Sequence, residues 1–243
     1  MRINWPTGVS APPLACDDAH VWSVALDQPE ERLRELTALL SDDERERAAR
    51  FHFEHLRKRF LASHGALRCI LANYTGMAPA QLRFSVGAFG KPALAEPASE
   101  VRFNLSHSEA LALIAVTQNR EVGVDVECLR PVRDVEQIAE RNFSPREYAA
   151  FRLLNEKEKL LAFFNCWTRK EAYIKARGEG LSLPLEQFDV AFVPGEEARL
   201  LGTRGDVAEA ARWSLTVLHP AKGYAAALAV EGQEVRLSCW QWR

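Results

Sequence analysis

Between His20 and Asp27 the chain reads HVWSVALD, an alternation of apolar and polar positions that predicts a strand. The period then changes. In PEERLRELTALL the residues Leu33, Leu36 and Leu40 recur at helical spacing, and a further helical stretch runs from Ser41 to Gly76. Ser41 followed three residues later by Glu44 has the form of a capping box. Phe51, Phe60, Leu61, Leu67, Ile70 and Leu71 give this stretch apolar faces, and Gly76 closes it. Residues 1–20 read as an irregular lead-in.

Beyond Gly76 the pattern favours strands. LRFSVGAFGKPAL predicts a short strand and then a turn at Gly90-Lys91-Pro92, and VRFNLSHSEALALIAVT predicts two strands around a polar turn at Ser106-His107-Ser108. REVGVDVECLRPV is a further strand. SPREYAAFRLL opens on Ser144-Pro145, a favourable helix entry, and the region from Glu156 to Arg177 is helical with Gly178 as its stop. SLPLEQFDVAFV and the stretch from Arg212 to Trp242 read as strands. The layout of FNLSHSEALALIAVT returns in SLTVLHPAKGYAAALAV: strand, turn with a histidine, then an apolar strand of small residues, each after a helical region. This is the pattern of two related halves meeting near residues 118–122, or of two hairpins of a common type.

Composition narrows the class. The chain has 243 residues, 47% hydrophobic and 26% charged, as in soluble globular proteins, and its net charge of -2 excludes nucleic-acid binding by bulk electrostatics. The five cysteines (16, 69, 128, 166 and 239) are scattered and form no CxxC, which argues against a disulfide framework or a cysteine zinc site and for a reducing cytoplasm. His52, His55 and His64 match no strong metal-ligand spacing. The N-terminus, broken by Pro6, Pro12 and Pro13, does not have the form of a signal peptide, and the longest apolar run, ALALIAV, is too short to span a bilayer.

Two stretches carry the chemistry. On a strand, VGVDVE turns Val122, Val124 and Val126 to one side and Gly123, Asp125 and Glu127 to the other. That is either the acidic solvent face of an amphipathic strand or a pair of carboxylates for a hard cation such as Mg²⁺. On a helix, WTRKEAYIK places Glu171 and Lys175 one turn apart on a shared face, with Lys170 about a quarter-turn away. Alone, this is an ordinary helix ion pair. Together with Asp125 and Glu127, Glu171 would complete an oxygen-rich Mg²⁺ site with Lys175 beside it to neutralise phosphate charge.

GVDVE, followed at the right interval by CWTRKEAYIKARGEGLSLPL, resembles the signature of the 4'-phosphopantetheinyl transferases, in particular their larger single-chain group. FNLSHS, FGKP and LSLPLEQFDV are similar to further family elements in the expected order, so the resemblance covers about residues 41–190. It implies an α+β fold: a pseudodimer of two similar lobes, each a helix packed on a small antiparallel sheet. Residues 1–121 would form one lobe and 122–243 the other, with the active site in the cleft between them. The implied activity is Mg²⁺-dependent transfer of phosphopantetheine from coenzyme A to a serine of an apo carrier protein (acyl, peptidyl or aryl), releasing adenosine 3',5'-bisphosphate. Mn²⁺ is an alternative metal.

The resemblance also implies site residues. Asp125, Glu127 and Glu171 would hold the metal. Glu127, Glu171 and Lys175 would be catalytic, with Glu127 the candidate base for the serine hydroxyl. Lys175, Ser106 and His107 would contact phosphates of coenzyme A, and Lys91 would lie near the nucleotide. Arg47 and Arg59 are candidates for the 3'-phosphate, although Glu44 stands where relatives offer a lysine. Lys170 also matches the motif and is a further candidate for binding coenzyme A, ranked below Lys175 because the helix points it elsewhere. A monomer is expected, with no membrane or nucleic-acid partner. Another Mg²⁺-dependent phosphoryl or nucleotidyl transferase, or a carrier-binding module without catalysis, are the rival readings.

Overall fold

The structure, a computed structural model, describes residues 5–8, 12–96, 99–206 and 208–243. The irregular lead-in expected for residues 1–20 lies partly outside these. Within it, Thr7–Gly8 forms a short strand, β1. The N-terminal half then runs β2 (Asp18–Ala25), α1 (Glu30–Ala38), α2 (Asp42–Ala49), α3 (Glu54–Thr75), β3 (Arg83–Val86), β4 (Pro92–Glu96), β5 (Val101–Ser108) and β6 (Leu111–Gln118). The C-terminal half repeats that order: β7 (Val122–Cys128), α4 (Val135–Asn142), α5 (Pro145–Arg152), α6 (Glu156–Arg177), β8 (Phe188–Val190), β9 (Leu200–Thr203), β10 (Trp213–Leu218) and β11 (Tyr224–Glu231). A last strand, β12 (Arg236–Trp242), follows.

The architecture is α+β. Of the two larger sheets one has the order β1-β12-β2-β6-β5 and the other β10-β11-β7, while β3-β4 and β8-β9 are two-stranded. Three apolar clusters define the layers. One joins α3 and its neighbours to the first sheet, through residues such as Trp22, Leu36, Ile70 and Ile114. A second joins α6 to the other sheet, through Phe163, Ala172, Tyr173 and Ala227. The third lies between the sheets and contains Val21, Leu113, Val122, Val124, Val126 and Leu228. The chain is therefore layered helix, sheet, sheet, helix, and β7 is covered on both faces.

The repetition extends to side chains. Ser41 on α2 and Ser144 on α5 each cap their helix in a capping box, with Glu44 and Glu147 as the returning carboxylates. Each of these glutamates also pairs with a buried cation at the same position of a 22-residue helix: Arg68 of α3 at 2.8 Å and Lys170 of α6 at 2.7 Å. Arg68 donates on to the carbonyls of Pro79 and Leu82, and Lys170 to those of Leu185 and Phe188. Both long helices end at a glycine in the left-handed region, Gly76 and Gly178, where a side chain would be strained.

Several expectations change. The helix expected from Ser41 to Gly76 is broken at residues 50–53. Phe51 contacts the ring of Phe60 at 5.3 Å, which nine residues of straight helix would place more than twice as far apart. Ser106, His107 and Ser108 are not a turn but the end of β5; the turn falls at Glu109-Ala110, with Glu109 at positive φ. Of the stretch expected as strand after Ser182, only the short β8 is strand, preceded by a 3₁₀ turn at Leu185–Gln187. The pattern also gave no sign of α4. Finally, β12 leaves the C-terminal half and inserts in parallel beside β2, so the two sheets do not divide the chain at residue 121.

Candidate active site

Strand β7 and helix α6 meet closely because of one residue. A Cβ on Gly123 would lie 2.1 Å from the carbonyl oxygen of Ala172 and 2.3 Å from the nitrogen of Ala176. The glycine lets the helix backbone rest on the strand, and the next residues on that strand face, Asp125 and Glu127, then lie against the helix face carrying Glu171 and Lys175. Val122, Val124 and Val126 point the other way into the inter-sheet core.

Asp125 is 4% exposed. Its Oδ1 accepts from Lys175 Nζ at 2.5 Å and from Ser106 Oγ at 2.9 Å, while its Oδ2 is buried with no hydrogen-bond partner. Burial raises its pKa, against the opposing charge of Lys175 and the hydrogen bonds to Lys175 and Ser106. Burial also raises Glu127, opposed by its hydrogen bond from Ser108 Oγ at 2.8 Å and reinforced by Asp125. Glu171 is raised by burial and by the charges of Asp125 and Glu127, with Lys175 opposing. Three carboxylates thus lie within electrostatic reach of one another and repel. Among the described residues, no three carboxylate, imidazole or thiol groups are preassembled closely enough to hold a metal ion, and Asp125 is drawn to Lys175 instead.

The donor set nevertheless suits a hard cation. An orphaned buried carboxylate oxygen is costly as it stands, and mutual repulsion among three acids is relieved by a bound divalent ion with oxygen preference. Glu171, Lys175, Lys91, Asn104 and Phe89 line a cleft of about 260 Å³ that opens from this point.

The two sheets are joined at the site by side chains. Strand β5 lies beside β7, and its alternate polar residues accept from the β7 backbone: Asn104 Oδ1 from Val124 N at 2.9 Å, Ser106 Oγ from Val126 N at 3.4 Å, and Ser108 Oγ from Cys128 N at 3.1 Å. Three side chains at a two-residue period thus replace the backbone ladder that β7 lacks on this edge. The two serine hydroxyls then donate to Asp125 and Glu127. Asn104 and Ser108 were missed in the sequence because the expected turn hid their alternation.

The other expected residues divide. His107, exposed on β5, has a pKa below the usual imidazole value: the side of its ring against the protein loses solvent, and Lys175 and Arg47 add positive charge. Arg47 sits over the ring of Phe60 at 5.3 Å and has no ion pair among the described residues. Lys91 lines the cleft with its ammonium already engaged, donating to Glu121 at 2.6 Å and to the Ala176 carbonyl at 2.9 Å. Arg59 is held by Asp27 and Glu109 at 2.9 and 3.1 Å. Lys170 does not face the cleft: it is fully buried on the far side of α6 against Glu147, as Arg68 is against Glu44. A contact between Lys170 and coenzyme A is therefore corrected to a structural ion pair. Glu44 is likewise committed, its carboxylate bound by Arg68 and by Ser41. His52 and His55 flank Phe53, away from His64, which stacks on Phe60.

Comparison with known proteins identifies the family. A family model described as "4'-phosphopantetheinyl transferase, N-terminal" matches residues 27–119, and one described as "4'-phosphopantetheinyl transferase superfamily" matches residues 121–229. The chain is 44% identical to the 4'-phosphopantetheinyl transferase HetI of Nostoc sp., over 94% of both chains. It is 32% identical to a putative 4'-phosphopantetheinyl transferase of Synechocystis sp., covering 81% of this chain and 78% of that one. It is 29% identical to the 4'-phosphopantetheinyl transferase Sfp of Bacillus subtilis, covering 70% and 75%. With the two halves of the family matched in order and a relative this similar along nearly its whole length, the chain belongs to the 4'-phosphopantetheinyl transferases.

Proposed function

We propose that this chain moves the phosphopantetheinyl group of coenzyme A onto the hydroxyl of a serine in an apo acyl, peptidyl or aryl carrier protein, with Mg²⁺, or Mn²⁺ in its place, held by Asp125, Glu127 and Glu171. The observation that carries the metal assignment is Asp125 Oδ2, buried without a partner, with Glu127 and Glu171 within electrostatic reach of the same carboxylate. When bound, such an ion neutralises the pyrophosphate and the charge that develops at the attacked phosphorus.

The chain's own groups do the rest. Glu127 accepts the serine proton as the serine oxygen bonds to the phosphorus that bears the pantetheine. Its burial-raised pKa makes it a better base than an exposed glutamate. The bond from that phosphorus to the bridging oxygen breaks, and adenosine 3',5'-bisphosphate leaves with the electron pair. Lys175, 2.5 Å from Asp125 in the free chain, provides a mobile positive charge for the departing phosphate. His107 and Arg47 add fixed donors at the phosphate end of the cleft. Ser106, which the sequence offers as a phosphate contact, has its hydroxyl engaged between Asp125 and Val126 and acts first as a support for the carboxylate. We place the enzyme in the cytoplasm as a monomer. Its five cysteines are all free, one chain carries both lobes, and no described helix is long and apolar enough to cross a membrane.

Mass spectrometry tests this. Incubated with coenzyme A, Mg²⁺ and a panel of apo carriers, the protein gives a mass increase of one phosphopantetheinyl group on at least one of them. Glu171→Ala abolishes the increase while the melting transition stays cooperative. No modification of any carrier would refute the transfer, and full activity in Glu171→Ala would remove it from the metal set.

A further inference from the structure

Around Phe60 four side chains from four elements come within reach of one another. Arg47 of α2 lies over one part of the Phe60 ring, and the ring of His64 is stacked on it at 3.8 Å with 25° between the planes. His107 of β5 is within electrostatic reach of both Arg47 and His64, and Lys175 of α6 within reach of His107. Arg47 has no carboxylate partner among the described residues. The acid facing this group, Glu44 of α2, has its carboxylate occupied by Arg68 and Ser41. A guanidinium without a counter-ion beside two imidazoles is an anion site.

The tautomer of His64 follows from its partners. Nδ1 lies 3.1 Å from the Phe60 carbonyl, which can only accept, and 3.2 Å from Ser63 Oγ, which donates its own hydrogen to that same carbonyl at 3.0 Å, so Nδ1 carries the hydrogen and donates it. Nε2 is then the nitrogen left for a ligand, and in the neutral ring it is a lone pair. A phosphate oxygen is an acceptor too. The two make a hydrogen bond only if Nε2 gains a proton.

We propose that His64 is a phosphate ligand of the donor, gripping a phosphate of coenzyme A together with Arg47 and His107 and taking up a proton as it does so. This rests on coenzyme A being the donor. The free protein is set for such an uptake: burial, with Arg47 and His107, lowers the pKa of His64 to about 4, against the opposing charge of Glu44 and the bond to the Phe60 carbonyl. At neutral pH the ring is therefore uncharged until a phosphate dianion replaces lost solvent and offsets the two cations. Binding then tightens as pH falls, with a limiting slope of about one decade in Kd per pH unit. Neither the capping box nor the core of α3 gives a reason for an imidazole here, since the neighbouring turns bury Phe60, Ala62 and Leu67.

The test is titration calorimetry of the full chain with coenzyme A, dephospho-coenzyme A and adenosine 3',5'-bisphosphate, in buffers of different ionisation heat between pH 6 and 8. Coenzyme A binding by the wild type takes up close to one proton. His64→Gln binds about tenfold more weakly and loses most of the uptake, whereas His64→Lys, permanently charged, restores affinity without uptake. If dephospho-coenzyme A shows no dependence on His64, the ligand is the 3'-phosphate; if it shows the same dependence, it is the pyrophosphate. Wild-type affinity and uptake in His64→Gln would overturn the proposal, as would an uptake lost only in His107→Gln. A wild type that binds none of the three compounds would instead refute the coenzyme A reading.

Discussion

Removing the charge of Asp125 has two opposite expected effects. Because burial raises its pKa, the native state holds this proton more tightly than the unfolded chain does. Stability contributed by the group is therefore lost as pH rises from the unfolded value of 3.8 through the native one, and at neutral pH the carboxylate works against folding. Asp125→Asn keeps the shape and an acceptor for Lys175. It is expected to abolish transfer yet raise the Tm at pH 7, by about 2–4 °C for each kcal/mol relieved. Calorimetry at pH 7 and pH 5 checks the sign, since the gap between variant and wild type narrows as pH falls. A variant that melts below the wild type at pH 7 would show that the Lys175 pair outweighs the burial. At this scale GVDVE was legible: alternation put three valines on one side and the two acids on the other. What it could not convey is that both sides are buried, because the second cover comes from a helix some forty residues away.

Helix α6 is positioned by two contacts remote from the chemistry. Lys170→Met leaves Glu147 charged and unpaired in the core, and is expected to destabilise by about 3–5 kcal/mol in a denaturant titration. Adding Glu147→Gln, which removes the unpaired charge and keeps an acceptor for one of the Ser144 and Val190 amides, recovers part of the loss. The other contact is Gly123. Gly123→Ala drives a methyl into the α6 backbone and is expected to lower both the Tm and the transfer rate, while Gly202→Ala, with nothing within 4 Å of its added carbon, leaves both unchanged. The extent of α6 was readable end to end, from the helical spacing to Gly178. The break at residues 50–53 was not, because the apolar residues on either side continue the helical period and only the packing of Phe51 on Phe60 requires the bend.

Across the whole molecule, one site arises from two similar halves. At the positions of α3 that match Glu171 and Lys175 stand Cys69 and Asn73, and the strand residue matching Asp125 is Trp22. The first half keeps the frame and fills the corresponding space with aromatic packing: Trp22 stacks on Trp240 of β12 at 4.9 Å, and Tyr74 accepts from Trp22 at 2.8 Å. Its other contribution is the edge of β5. Asn104→Ala with Ser108→Ala is expected to speed amide exchange at Val124 and Cys128 and to weaken transfer, with the remainder of β7, paired to β11, still protected. Unchanged exchange at both amides would show that the side-chain bridge adds no protection.

The sequence by itself determined the local and periodic features: the valine face of β7, the span of α6, the capping box at Ser41, and the Glu171–Lys175 face. It also carried, through ordered motifs, the resemblance to the transferase family. These are properties of neighbouring residues, whose spacing sets which side chains share a face. The tertiary structure decided which charged groups serve the site and which serve the frame. Lys170 and Glu171 are adjacent in the chain, yet a helix turns them apart, one into a buried ion pair and one into the cleft. Ser106 and Ser108 became supports for two carboxylates, and His64 a neighbour of His107, only because β5, β7 and α3 converge. Contacts between residues so far apart in sequence depend on how whole layers stack, and no local pattern encodes that.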